Sequence, residues 1–280
     1  MRCAQRIEEL KEKARQIRID TLEMCGHVGS GHVTSGFSCT ELLVALYHGG
    51  ILHCDPQNPN WSGRDYFVLS KGHSSTALYP VLADMGFFPK EELQHCCAPH
   101  AMLGLLLKKD VPGVEISSGS LGIGLGVAAG IALGLKMDRA SNMVFCMLGD
   151  GECHEGNIWE SAMFANQYRL NNLVVIVDRN YLCCTDFTEN IMPLEPFDAK
   201  WESFGWEVKR INGHCFEQIF EALDNVHAMK RNKPLVIIAD TVKGYGVDFI
   251  ANVPLMHGVA LCGEKLNEGR RCLGTAEENP

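Results

Sequence analysis

No two of the thirteen cysteines in this sequence are separated by two residues. That excludes zinc-knuckle spacing, and no compact disulfide framework appears either. Two pairs are adjacent, Cys96–Cys97 and Cys183–Cys184, and others, such as Cys39 and Cys146, sit inside apolar runs. They read as small hydrophobes with reduced thiols, which places the chain in the cytoplasm. Positive charge is also short: 25 Lys and Arg stand against 34 Asp and Glu, a net charge of −9. This balance argues against nucleic acid or an anionic membrane as partner. The opening "MRCAQRIEELKEKARQIRID" is too charged for a signal peptide. The charge-free stretch between Glu115 and Lys136 is too glycine-rich and weakly apolar for a membrane span. Internal repeats, low-complexity segments and linkers are missing as well. Apolar residues are plentiful, at 46% of 280, enough for a substantial core. We expect a single domain over 1–280 with a polar, loose tail from about residue 262.

Apolar spacing predicts helices over 5–25, from Thr40 to Tyr47, and over "STALYPVLADMG", closed by Gly86. A loop around 95–118 follows. Gly122, Gly126, Gly130 and Gly134 then recur every four residues, one smooth ridge on a helix buried at a tight internal or subunit contact. Strands are expected at "DYFVLS", Met143–Leu148, "LVVIV", "GWEVKRI" and "PLVIIAD", and a helix over "FEQIFEALDNVHAMK". Asn157 with Glu160 reads as a capping box opening a helix that runs to about Leu170. Strands alternate with helices, and the central strands are continuously apolar. The fold class is therefore α/β, a parallel sheet covered by helices on both faces.

In such sheets ligands bind beyond the carboxyl ends of the strands. His73, Asp150, Asn180 and the segment leading to His257 all fall there. Asp150 lies between two glycines at the end of an apolar strand, and Asn180 follows the next strand. A carboxylate, an amide oxygen and a backbone carbonyl suit a hard cation, Mg²⁺ or Ca²⁺, completed by phosphate and water. Gly151 lets a backbone N–H approach an anion. The pattern reads as a metal that neutralises a diphosphate. His154, His214 and His227 read as surface residues, and Cys153 with His154 has no complementary pair for zinc.

The stretch "GDGECHEGNIWESAMFANQYRLNNLVVIVDRN" resembles the thiamine-diphosphate motif of the transketolase family. "GSGHVTSGFSCTELLVALY" and "DYFVLSKGHSSTALY" are similar to its two histidine segments, and "GVEISSGSLGIGLGVAAGIALG" to its glycine-rich loop and helix. The resemblance covers nearly the whole chain and implies a thiamine-diphosphate-binding fold. It implies metal ligation by Asp150, Asn180 and the Leu182 carbonyl. Cofactor contacts would come from His73, Gly119, Leu121, Gly151, Asn180 and His257. His32, His73 and His257 would be catalytic, and Glu155 would lie at a subunit interface. The chain ends where the family's first domain ends. It is therefore expected to be the N-terminal subunit of a split transketolase, with a separately encoded C-terminal partner in an α₂β₂ heterotetramer. Its implied activity moves a two-carbon ketol unit from a ketose or ketose phosphate to an aldose.

Three positions depart from the family pattern: Ile123 where Gln or His is usual, Val33 in place of Pro, and Cys184 in place of an aliphatic residue. They point away from the ordinary pentose-phosphate substrate, toward a specialised ketose or a biosynthetic pathway. His100 is a further substrate-histidine candidate in a longer loop. Two other readings stay open: another thiamine enzyme, such as a 2-oxoacid dehydrogenase α-subunit or 1-deoxyxylulose-5-phosphate synthase, and a non-catalytic subunit retaining the fold.

Overall fold

A computed structural model describes residues 4–228 and 230–274. Five strands form one fully parallel sheet: β1 (Tyr66–Leu69), β2 (Val144–Gly149), β3 (Leu173–Arg179), β4 (Glu207–Asn212) and β5 (Leu235–Asp240). Their spatial order is β1-β2-β3-β5-β4. The central strands are apolar throughout because both faces are covered, and successive side chains point to opposite faces. Phe145, Met147, Val174, Ile176 and Ile237 face one core, while Val144, Cys146, Leu148, Val175, Val177 and Ile238 face the other.

The first core is roofed by α1 (Ala4–Val28), α2 (Val33–Ser38), α3 (Thr40–Tyr47) and α4 (Ser75–Met85). The second lies under α5 (Gly124–Met137) and α6 (Gly156–Gln167). Then follow α7 (Thr188–Ile191), α8 (Phe197–Ser203), α9 (Phe216–Leu223) and α10 (Glu264–Cys272). The expected sheet and its helical layers are thus present. No helix among the described residues is long and apolar enough to cross a membrane.

Several local expectations change. Gly122 lies before α5 with a φ of 82°, so it does not share the helical ridge. Of the rest of the ridge, Gly126 packs internally, an added Cβ coming within 3.2 Å of Ser161 Oγ, whereas added Cβ atoms on Gly130 and Gly134 would meet nothing within 4 Å. The capping box does not form. Glu155 is the N-cap of α6, and Asn157, inside the first turn, donates its Nδ2 to the Gly122 carbonyl at 3.0 Å. The helix after β4 stops at Leu223, short of the expected run to residue 230. Residues 264–272, expected in a loose tail, form α10, which packs on α1. Gly269 and Leu273 are buried there, and Arg270 pairs with Glu23.

Candidate active site

The carboxyl ends of β1, β2, β3 and β5 converge on one polar cluster. Beyond β2 the chain turns through Asp150 into a short 3₁₀ segment, Gly151–His154. Asp150 is buried and accepts from Gly151 N–H at 2.7 Å, Tyr181 N–H at 2.6 Å and Arg179 Nη1 at 3.1 Å. Burial pushes its carboxyl up to about 6; Arg179 opposes this and Asp178 reinforces it. Two residues on, Glu152 ties three loops together. Its carboxylate accepts from Ser70 Oγ, Gly122 N–H at 2.8 Å and Gly149 N–H at 3.0 Å.

Asn180 follows β3, with its Oδ1 accepting from Leu182 N–H at 3.1 Å and its Nδ2 on Asp178. A Cβ at Gly151 would meet Cys183 Sγ at 3.0 Å and lie 3.8 Å from the Leu182 carbonyl oxygen. Glycine at 151 therefore leaves this turn room to lie close against Cys183. Asp150, Asn180 and Leu182 accordingly gather around one turn, with oxygen atoms that suit a hard cation. Gly119 and Leu121 sit on the exposed loop before α5, and Glu155 is exposed beside Gly122.

His32, His73 and His257 come from three distant segments and form a triangle. Their ring centroids are 5.1 Å (His32–His73), 5.0 Å (His32–His257) and 5.3 Å (His73–His257) apart. Burial, helped by nearby lysines, drives His73 well below the usual imidazole range, lowers His32, and brings His257 to about 4. All three are neutral at neutral pH, able to give or take a proton. The Nδ1 of His32 is buried with no hydrogen-bond partner among the described residues. An orphaned polar atom there is open to a ligand group or a water.

Three site groups escaped the sequence reading. Lys71 and Asp178 form a fully buried ion pair at the centre of the cluster. Ser38 and Thr241 also donate to Asp178. Lys243, after β5, donates to the Cys183 carbonyl at 3.1 Å and bonds His257 Nδ1 at 2.9 Å. Its bonded partners are neutral, and burial followed by repulsion from Lys71 lowers its amine to about 8. A buried cation so placed draws an anion. The third is Arg179, buried behind Asp150 and bonded to Thr188, Glu189 and Glu195. One signal could have found the lysines: each follows a strand end and immediately precedes a glycine, in "SKGH" and "VKGYG".

Other candidates stand apart. His100 is exposed, with a φ of 64°. His154 bonds the Met192 carbonyl at 2.8 Å. His214, expected on the surface, is largely enclosed between Glu41, the Val242 N–H and the ring of Tyr245. Val33 is buried, whereas Ile123 and Cys184 are exposed.

Residues 9–280 match the family described as transketolase, thiamine diphosphate binding domain. The chain is 40% identical over 258 residues to the 6-deoxy-6-sulfo-D-fructose transketolase subunit SqwG of a Clostridium species, covering 91% of this chain and 93% of that protein. It is 36% identical to an apulose-4-phosphate transketolase subunit of Phocaeicola vulgatus, covering 95% of this chain and 94% of that protein. The solved transketolase of Campylobacter jejuni superposes with a TM-score of 0.89 at 29% identity, over 98% of this chain but 43% of that one. The chain thus spans less than half of that transketolase and nearly all of the two subunits. The parallel sheet, the oxygen cluster beyond β2 and β3 and these matches together make the chain a member of the transketolase family, in its thiamine-diphosphate-binding domain.

Proposed function

We propose that this chain is the diphosphate-binding subunit of a two-part, thiamine-diphosphate-dependent transketolase, its residues 1–280 forming one domain. The observation that carries the reading is the pairing, at one sheet end, of an oxygen-donor turn with a buried lysine whose direct hydrogen-bond partners are both neutral. Asp150, Asn180 and the Leu182 carbonyl would hold Mg²⁺ or Ca²⁺. Gly151, His73, His257 and Lys243 would receive the diphosphate, with Gly119 and Leu121 against the rest of the cofactor. Thiamine diphosphate, when bound, supplies the nucleophilic carbon that C–C cleavage and ligation require. His32, His73 and His257, held neutral by burial, give and take protons at substrate oxygens as a two-carbon ketol unit leaves a ketose and joins an aldose. The two related subunits are named for unusual ketoses, which supports a specialised sugar or sugar phosphate here. Their names as subunits support a separately encoded partner. The twelve described cysteines are free thiols, which supports the cytoplasm as the setting.

The test is calorimetry of the chain with its partner, using thiamine diphosphate and Mg²⁺. Asp150→Ala should abolish metal-dependent cofactor binding in a protein that remains folded, because the diphosphate charge loses its cation. Unchanged affinity in a folded variant would overturn the metal assignment. Turnover of a 2-oxoacid in place of a ketose would move the enzyme to another thiamine class.

A further inference from the structure

At the opposite end of the sheet lies a second cluster with metal-ligand chemistry. His53 belongs to the loop after α3, Asp65 immediately precedes β1, and His227 lies in the turns after α9. One ligand atom from each falls within 4.8 Å of the others. Asp65 is buried and rigidly held: Oδ1 accepts from Met143 N–H at 2.8 Å and Oδ2 from His53 N–H at 2.9 Å. Backbone bonds of this kind orient a ligating carboxylate. Both imidazoles are exposed and stack at 3.9 Å, 17° from parallel, over that one carboxylate.

The rings address the same oxygen. His227 Nε2 lies 2.7 Å from Asp65 Oδ2, and His53 Nδ1 lies 3.7 Å from it, beyond hydrogen-bond reach. An imidazole nitrogen and a carboxylate oxygen at 2.7 Å cannot both present bare lone pairs, so something positive sits between them. The Nε2–H tautomer of His227 would do this with a proton. A metal ion in its place would also engage His53 and satisfy all three donors with one charge.

We infer that His53, Asp65 and His227 form a binding site for a divalent transition ion of the zinc class. Two imidazole nitrogens and one carboxylate are the ligand set of borderline ions and not of Mg²⁺ or Ca²⁺. Tetrahedral bonds of about 2.1 Å set ligand atoms roughly 3.4 Å apart. His227 would therefore withdraw by a fraction of an ångström, and the more exposed His53 ring would turn out of the stack, because parallel stacked rings cannot both aim in-plane lone pairs at one ion. Water takes the fourth position. The ion would cross-link the α3–β1 loop to the turns after α9, two segments far apart in sequence. It is distinct from the cation of the cofactor site: β2 spans its six residues between the two ends, roughly 20 Å at strand rise.

The experiment uses the full chain after chelator treatment, without thiamine diphosphate, with Zn²⁺ and Co²⁺ alone as probes. Zn²⁺ should bind at one equivalent and raise the melting temperature. Co²⁺ should show visible bands without thiolate charge transfer. His53→Ala and His227→Ala should each weaken Zn²⁺ by at least about tenfold, while Asp150→Ala retains it. On the unmutated chain, Zn²⁺ should shield His53 and His227 from a histidine-acylating reagent, read by mass spectrometry. That measurement stands even if a variant fails to fold. Three results would each overturn the site: no shielding, Zn²⁺ affinity unchanged in both variants, or a thiolate band showing that the cysteines hold the metal. None of these outcomes bears on the cofactor reading.

Discussion

Lys243 shows how a residue that reads as ordinary in sequence acquires a task from its position. A lysine near a glycine is usually a surface residue, and only burial against Lys71 and His257 makes this one a candidate anion site. Its amine falls from the ordinary 10.5 to about 8. Between those values the unfolded chain holds a proton that the folded chain has lost, so stability rises with pH across that window. Below it, the buried charge is carried at a cost. A bound diphosphate reverses the penalty and draws the proton back. We therefore expect cofactor binding at pH about 8.5 to take up a proton, seen as a dependence of the binding heat on buffer ionisation enthalpy. Lys243→Met should remove that dependence and weaken binding. Heats independent of buffer in the unmutated protein would take Lys243 out of the diphosphate site. Asp150, Asn180 and the histidines were legible because acids, amides and imidazoles at strand ends are conspicuous. Lys71, Lys243 and Arg179 were not, since their exposure depends on contacts between segments far apart in the chain.

At the scale of elements, the apolar strands declared themselves because two-sided burial leaves no polar alternation to misread. Helix ends were less legible. Asn157 has the chemistry of a cap, but the nearby Gly122 carbonyl draws its amide into a tertiary bond. The glycines of α5 were correctly spaced on one face: Gly126 packs against Ser161 of α6, and the rest of that face is open in the lone chain. Gly130 and Gly134 are exposed with no neighbour near the missing Cβ. An exposed helical glycine costs roughly 0.5–1 kcal/mol relative to alanine. Gly130→Ala should accordingly stabilise the isolated chain by about that amount, measured by denaturant unfolding. Gly130→Leu fits the lone chain equally well, but should weaken assembly with the partner if another backbone packs on this ridge. A destabilised Gly130→Ala chain would show that the glycine serves the fold itself. Leucine without effect on assembly would place the interface elsewhere.

For the whole molecule, the apolar surface left open has a pattern. Met137 is 74% exposed, Met163 53%, Ile123 49% and Tyr168 48%, with Phe164 and Leu121 also exposed. They lie on α5, α6 and the adjoining turns, two helices that pack on each other. Isolated exposed apolar residues are normal on a monomer, but a group on neighbouring helices makes a candidate surface for another chain. Glu155, Leu121 and Ile123 place that surface beside the turn that carries Asp150. A partner docked there would close the cleft, exclude water and add the groups that recognise sugar. The Campylobacter jejuni transketolase carries more than half of its length outside the region matched by this chain, and the relatives of matching length are named as subunits. We therefore expect the purified chain to be inactive in ketol transfer and to bind thiamine diphosphate weakly. With the second subunit it should assemble as α₂β₂, with two sites at the interfaces. Light scattering reports the mass and a coupled assay the transfer, each measured on the chain alone and with the partner. Full transferase activity from the lone chain would refute the two-part reading, whereas activity that rises with partner up to equimolar addition would fix the dependence and the one-to-one ratio, and the mass would fix the number of copies.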